Sequence, residues 1–547
     1  MGEPARNITE LPKRQEKSSH GESVDATLKT RGSQELIIGF AGPVGCGIAL
    51  TIEQTKKALE AVNYEVFVIK LSAFIRKSLD TKVIEIDTSN YSELGARAQR
   101  LLTLQDGGNE LRKRGVGILA EYAIKEVVMH RGIQAEAEGH TGNLHDYTPK
   151  RVAYLIDQIK HPGEVTLLRT VYGKLFHLIG VISVSPKRSE RLISSDRIDS
   201  RDISMVMERD RRQEESNGQQ LDKALQMADF FVSSDQGTTS SLQKKLKRFL
   251  DLLHNENVVT PTAQEYGMYV AYAAGLKSAC LSRQVGAAIA DASGKVVSTG
   301  CNDVPKALGG LYTTEDGDHD RRCVHREEQV CFNDREKNLL KSDIEEALEK
   351  ATGANQGMGG LSAAQLASIV DSVYRASHIK DLIEFSRAVH AEMDAIIALA
   401  RAGTPGIQGS TLYTTTFPCH SCARHIVAAG IEKVYYIEPY EKSLAQRLHS
   451  DAIAFDTEDD DAERRTPSGR QLPTLVRFIH FEGVAPRQYL NFFKMNSRKD
   501  EKTGKVIRIA SISAQKTIGE YLDDYRTFET KVVQHLRDTM PEVTEEG

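Results

Sequence analysis

From Leu36 to Phe40 the chain is apolar almost without alternation (Leu36, Ile37, Ile38, Phe40), the pattern of a strand covered on both faces. Arg151 to Asp157 and Leu178 to Val184 repeat it, and Phe230-Phe231-Val232 closes the series. Between these blocks, helical spacing predicts helices over Thr51 to Asn63, Val165 to Tyr172 and Leu242 to His254, with a further strand over Tyr64 to Ile69. Residues 191–228 read as charged helix. A second set follows: a helix over Ala271 to Ser278, then strands Val285 to Ala290 and Lys295 to Gly300 joined at Asp291-Ala292-Ser293-Gly294. A buried helix begins near Ala391, a strand runs from Ser410 to Thr415, and Cys419 to Ala429 opens another helix. Two helices, Lys337 to Lys350 and Ser362 to Ala376, flank the glycine-rich Gly353 to Gly360.

This order divides the chain into α/β units at 34–250 and 255–500, the second with an insert at 306–385, then a C-terminal helix and tail at 501–547. A fragment beginning at 255 is expected to fold by itself. Residues 1–33, the acidic run Glu458 to Asp461 and the tail after Thr539 are polar enough to be expected mobile.

Composition narrows the class. Forty per cent hydrophobic residues suffice for packed cores in 547 residues, and no run is long enough to span a membrane. No apolar stretch precedes Leu36, so a secretory signal is not expected, and the seven cysteines fit a reducing cytoplasm better than a disulfide framework. A net charge of −5 and the absence of Trp argue against a basic, aromatic-lined polynucleotide channel. A protein acting on RNA or single-stranded DNA is therefore the weaker alternative.

The chemistry is stated by His390-Ala391-Glu392 and, after 25 intervening residues, Pro418-Cys419-His420-Ser421-Cys422. One imidazole and two thiolates give a tetrahedral zinc three protein ligands and leave one position open, as a catalytic site requires. Glu392 lies two residues past the histidine, where a proton carrier is needed. A structural zinc site would want a fourth ligand and has no use for that acid. An intact Glu392 likewise argues against a non-catalytic nucleotide sensor.

Gly42-Pro43-Val44-Gly45-Cys46-Gly47 after the first strand has the glycines of a phosphate-binding loop, but Ile48 and Ala49 stand where G-x-x-x-x-G-K-[ST] has its lysine and hydroxyl. Gly42, Gly45, Cys46 and Gly47 remain a candidate nucleotide site that would bind without phosphoryl transfer. The charged run Arg201 to Arg212 resembles the arginine-bearing lid of nucleotide monophosphate kinases. In the insert, His319, Cys323, His325 and Cys331 are the right types for a second, structural zinc.

The H-x-E…P-C-x-x-C phrase matches the zinc nucleobase deaminases, and the helix–hairpin–helix–strand–helix order resembles the αββαβ core of the cytidine deaminase fold. Gly300-Cys301-Asn302-Asp303-Val304-Pro305 resembles the Gly-x-Asn-x-x-Pro turn of deoxycytidylate deaminases. That likeness implies that Asn302 and Phe417 contact the nucleoside, with Ala391 beside them. Over roughly 35–495 the chain resembles the two-domain deoxycytidine-nucleotide deaminases of bacterial phage defence, in which a degenerate P-loop kinase-like parallel-sheet domain precedes a deaminase domain. The resemblance implies a cytoplasmic, zinc-dependent hydrolase that converts dCTP or dCMP to the uracil forms. In some members a small RNA from the same locus holds the enzyme silent; a homo-oligomer with no membrane association and a nucleotide at the first domain's glycine loop are expected besides.

Overall fold

The computed structural model describes residues 32–540 apart from 143, 145, 146, 148, 212–217, 236–238, 255, 257, 354–361, 439–442, 457–474, 495–498, 508–515 and 518–524. Residues 1–31, Glu458 to Asp461, most of the glycine-rich link after Gly353, Arg212 and the tail beyond Met540 lie outside the described residues.

After the two-residue β1 (Gly32–Ser33), β2 (Leu36–Ala41) is buried at every position. It leads through the glycine turn to α1 (Ile48–Glu60), β3 (Glu65–Lys70), α2 (Leu71–Asp80), α3 (Ala96–Arg112) and α4 (Ile118–Ala137). Then come β4 (Val152–Asp157), α5 (Pro162–Tyr172), β5 (Phe176–Ile182), α6 (Ser185–Ser194), α7 (Ile203–Arg211), α8 (Leu221–Gln226) and β6 (Phe230–Ser233). The strands stand side by side as β3-β4-β2-β5-β6, all parallel. Ile37, Tyr154, Ile156 and Leu178 face one helical layer, while Ile38, Phe40, Leu155 and Ile179 face the other. Burial on both faces is why these strands read as unbroken apolar runs. Among the described residues, the charged stretch expected to be helical holds the end of α6, then α7 and α8.

The second unit follows α9 (Thr239–Leu253). Its first helix, α10 (Ala263–Gly275), begins earlier than its apolar residues suggest, because Thr262 and Glu265 form a reciprocal capping box. It continues with β7 (Gly286–Ala290), β8 (Val296–Cys301), α11 (Phe332–Gly353), α12 (Ala363–Ala376), α13 (Ala391–Arg401), β9 (Thr411–Thr416) and α14 (His420–Ala428). Next are β10 (Lys433–Glu438), α15 (Ala445–Leu448), β11 (Ile453–Asp456) and β12 (Val476–His480). The sheet runs β8-β7-β9-β10-β12-β11, antiparallel at the hairpin end and parallel beyond β9.

The chain then returns to the first unit. β13 (Gly483–Val484) pairs antiparallel with β6, so β6 is not the sheet edge that its position in sequence suggested. Glu482 accepts from Ser233 N and pairs with Lys245, while Glu265 accepts from Val484 N and from Arg248. After α16 (Tyr489–Phe493), β14 (Lys516–Thr517) pairs with β1 and α17 (Tyr525–Thr539) packs on α4. Arg131, from α4, is buried between Glu35 and Glu529, and Tyr525 donates to Glu35 at 2.6 Å. No helix among the described residues is long and apolar enough to cross a membrane.

Candidate active site

Two helix N-termini converge on one point. His390 is the N-cap of α13 and Cys419 the N-cap of α14. α13 lies directly on β8, an approach that requires Gly300: a Cβ there would stand 2.2 Å from the Ala391 carbonyl and 2.4 Å from Ala395 N. β9 delivers the other half through Thr416, Phe417 and Pro418. Both Cys419 Sγ and Cys422 Sγ lie 3.3 Å from His390 Nδ1. These three ligand atoms fall within 4.8 Å of one another and form the one such group among the described residues. Glu392, only 4 % exposed, sits in the first turn of α13. Its Oε1 accepts from the Thr414 hydroxyl at 3.4 Å and its Oε2 from the Cys422 thiol at 3.5 Å.

The electrostatics favour a bound cation. The Cys419 thiol is held down to about 4, by its hydrogen bond with Cys422 first and by His390 besides, against the opposing effect of burial. Its partner Cys422 is raised, because Cys419 takes the charge and burial disfavours a second one. His390 is raised by its contact with Cys419. A divalent ion would settle this crowding by letting both sulfurs ionise together. One nitrogen and two sulfurs, with no fourth protein ligand in the group, fit zinc with one position left open. Burial raises the Glu392 carboxyl above the usual range, opposed by His390. Such a carboxyl is suited to holding and releasing a proton.

A cavity of about 370 Å³ opens over this group and is bordered by Asn302, Ala391, Glu392, Phe417 and Cys419. The three residues expected to contact a nucleoside are thus brought to the site. Asn302 also braces the backbone, since its Oδ1 accepts from Val285 N at 2.7 Å and its Nδ2 donates to the Arg283 carbonyl at 2.8 Å. The Phe417 ring packs edge-on to Tyr436 and against Phe478. Arg283, Lys337 and Lys380 supply positive charge to the rim.

The other expected sites fare differently. His319 and His325 are exposed, and Cys323 and Cys331 border a small cavity with Cys280, next to the larger one, which Cys280 and Cys331 also border. The four are not gathered into a metal-binding group. His325 instead faces Asp320 at 3.3 Å. At the glycine turn, Gly47 takes the left-handed φ of 85° that favours glycine. Gly42, Gly45, Cys46 and Gly47 are packed against neighbours: Arg191 donates to the Gly45 carbonyl, Ser234 to that of Cys46, and Arg188 to that of Val44. A Cβ on Gly47 would meet Ser234 Oγ at 2.3 Å, so protein atoms crowd the turn.

Sequence reasoning missed Thr414, Arg283, Lys337 and Lys380. Thr414 is signalled only by its alternation with Leu412 and Thr416 on one strand face. Both lysines come from the insert, whose partners no local spacing discloses.

Residues 261–438 match the family model described as the cytidine and deoxycytidylate deaminase zinc-binding region. The deoxycytidylate deaminase of enterobacteria phage T4 is 28 % identical over 186 residues, which span 32 % of this chain and 78 % of that protein. ComE operon protein 2 of Bacillus subtilis is 41 % identical over 68 residues, 12 % of this chain and 35 % of that protein. Among solved structures, the dCMP deaminase of cyanophage S-TIM5 in complex with dCMP and dUMP is 21 % identical. It covers 35 % of this chain and 93 % of its own, with a TM-score of 0.21. The C-terminal region therefore carries a deoxycytidylate deaminase-like zinc-binding domain.

Proposed function

We propose that this protein is a zinc-dependent deaminase of deoxycytidine nucleotides, converting dCMP or dCTP to the deoxyuridine form and ammonia. One observation carries the reading: the His390, Cys419 and Cys422 ligand atoms are assembled beside a buried Glu392 that belongs to no metal group. Held by these three residues, zinc would supply the Lewis acidity that brings the pKa of a water to about 7. The Thr414 hydroxyl, shared with the Thr416 carbonyl, lies 3.4 Å from the Glu392 carboxylate and helps to orient it. Glu392 takes a proton from water at its carboxylate oxygen and passes it to the ring nitrogen N3 of cytosine as the water oxygen bonds to C4. It then takes the proton of that C4 hydroxyl and passes it to the amino nitrogen, which leaves as ammonia when the C–N bond breaks. Phe417 packs beside the pyrimidine, and Asn302 braces the 283–285 turn that borders it. Arg283, Lys337 and Lys380 draw the phosphate to the rim.

The test is incubation of the zinc-loaded full chain with dCMP, dCTP, dCDP, deoxycytidine and CMP, with products separated by chromatography. Uracil forms from dCMP or dCTP are expected, and no deamination of any of the five would refute the reading. The first unit we read as P-loop kinase-like, supported by its central first strand, glycine turn and parallel order. The wider role, depletion of dCTP during phage infection by a cytoplasmic oligomer under restraint by a small RNA, is supported by resemblance of the two-domain layout. Phage protection lost in Glu392→Ala cells is its expected outcome.

A further inference from the structure

Three cations border the outer part of the substrate cavity, Arg283, Lys337 and Lys380, with Asp334 beside them. Lys337 is buried, and its ammonium donates to the Lys380 carbonyl at 2.8 Å. Arg283 is held differently. It stands on the link between α10 and β7, its side chain is half exposed, and its Nη1 lies 3.5 Å from Glu438 Oε2. A guanidinium on a long stem samples many rotamers unless both its ends are held. Asn302 holds the near end, donating through Nδ2 to the Arg283 carbonyl at 2.8 Å. Glu438 holds the far end.

Glu438 is itself fixed in place. It closes β10 and pairs in register with Thr416 of β9. Its carbonyl accepts from Phe417 N at 2.7 Å, and its Oε2 accepts from the Thr416 hydroxyl at 3.4 Å. The same Oε2 meets Arg283, so the guanidinium is tied to the strand that delivers Phe417 and Cys419 to the metal group. Burial raises the Glu438 carboxyl, and the charge of Arg283 is the largest effect opposing it. The carboxylate does not reach the substrate cavity. It borders another, of about 380 Å³, between the two units, with Asp222 of α8 on the far wall. Glu438 therefore stands behind Arg283 and can act on a substrate only through it.

We propose that Glu438 is a positioning residue: it aims the Arg283 guanidinium at the substrate phosphate and so sets the preference for a nucleotide over the free nucleoside. The inference rests on the proposed deaminase reading. A guanidinium presents its N–H donors in a rigid planar fork, so the contact of Nη1 with Glu438 leaves other donors for phosphate oxygens. The carboxylate also repels phosphate, but it does so across the guanidinium and through screening solvent. Orientation outweighs that repulsion.

Steady-state kinetics on the zinc-loaded full chain test this, with deoxycytidine and with dCMP, or dCTP if that turns over faster. Glu438→Ala should raise KM for the nucleotide about fivefold, the upper end for a partly exposed ion pair. Its kcat should stay within about twofold, because an interaction made equally in the ground and transition states is lost. KM for deoxycytidine should not move; where its turnover is too slow to follow, its Ki as a competitor of the nucleotide serves instead. Glu438→Gln keeps the shape and an acceptor oxygen, so it should fall between wild type and Glu438→Ala, and it keeps the test open if the alanine variant misfolds. Arg283→Ala should raise the nucleotide KM about tenfold or more, as loss of a charged hydrogen bond does. In that background Glu438→Gln should change nothing further.

Nucleotide and nucleoside affected alike would mean a structural role and overturn the proposal. So would a nucleotide KM that is unchanged or lowered in both Glu438 variants, or one that rises equally in the Arg283→Ala background. A wild-type chain that deaminates no cytosine nucleotide would refute the proposed function and this inference with it. An active wild type with unaffected variants would refute the positioning role alone.

Discussion

Glu392 and His480 show how burial sets the chemistry of single residues. Burial raises the Glu392 carboxyl, and the Thr414 hydroxyl and the Cys422 thiol lie within hydrogen-bond range of its oxygens. Glu392→Gln keeps the shape and removes the proton carrier. Turnover of dCMP should fall by about 10²–10⁴-fold or more with one zinc still bound per active site, as read by metal analysis. Cys419→Ala should lose the zinc as well. His480 is pushed down to about 4 by burial, and in the neutral form its Nδ1–H donates to the Phe481 carbonyl at 3.2 Å. Unfolded, it would titrate near 6.5 and bind the proton that the fold refuses. Its contribution to stability is therefore complete above pH 6.5 and is lost as pH falls toward 4. Denaturant titrations of wild type and His480→Gln across pH 4–7.5 should show a shallower acid decline in the variant.

At the scale of elements, the metal centre depends on how closely α13 lies on β8. The hydroxyl of Ser298 donates to the Ala395 carbonyl at 2.7 Å, and Gly300 leaves no room for a methyl group. Gly300→Ala must push α13 away because the atoms it meets are backbone. Overpacking of this kind costs about 1–3 kcal/mol, and the displaced helix carries His390 and Glu392. The variant should melt earlier and bind zinc more weakly, with competition against a chelator as the measurement. The glycine turn is the contrasting case. Its neighbours Arg188, Arg191 and Ser234 hold its carbonyls, so its conformation is maintained by protein contacts.

At the scale of the whole molecule, the second unit is stitched into the first. β13 extends the first sheet, α17 covers α4, and Arg131 bridges Glu35 to Glu529 in the buried interior. A fragment starting at 255 would expose Phe481, Val484 and the buried faces of α17, and would keep Glu529 without Arg131. The expectation of a self-sufficient second unit thus meets a strong physical objection. The fragment should aggregate or stay unfolded on gel filtration even with zinc, while the full chain elutes cleanly. Glu529→Ala in the full chain, which leaves Arg131 buried with Glu35 alone, should lower stability by about 3 kcal/mol in a denaturant titration.

What could be read without coordinates was whatever is encoded at short range. Apolar runs mark strands covered on both faces, and His390, Glu392, Cys419 and Cys422 follow from spacing, because zinc demands few ligand types and short loops present them. Residues that act across long separations left no local trace. Thr414 supports Glu392 only because β9 passes beneath α13, and Lys337 reaches the rim only because the insert folds over the site. Two apolar residues at Gly483–Val484 cannot announce pairing with a strand some 250 residues earlier. His319, Cys323, His325 and Cys331 are likewise not gathered into one group among the described residues: suitable residue types in a charged loop do not by themselves bring ligand atoms to one point. Local periodicity and ligand chemistry were determined by the sequence alone. Which surfaces meet, and hence the cavity between the units, was decided by tertiary packing, since burying those faces together is what removes their apolar area from water.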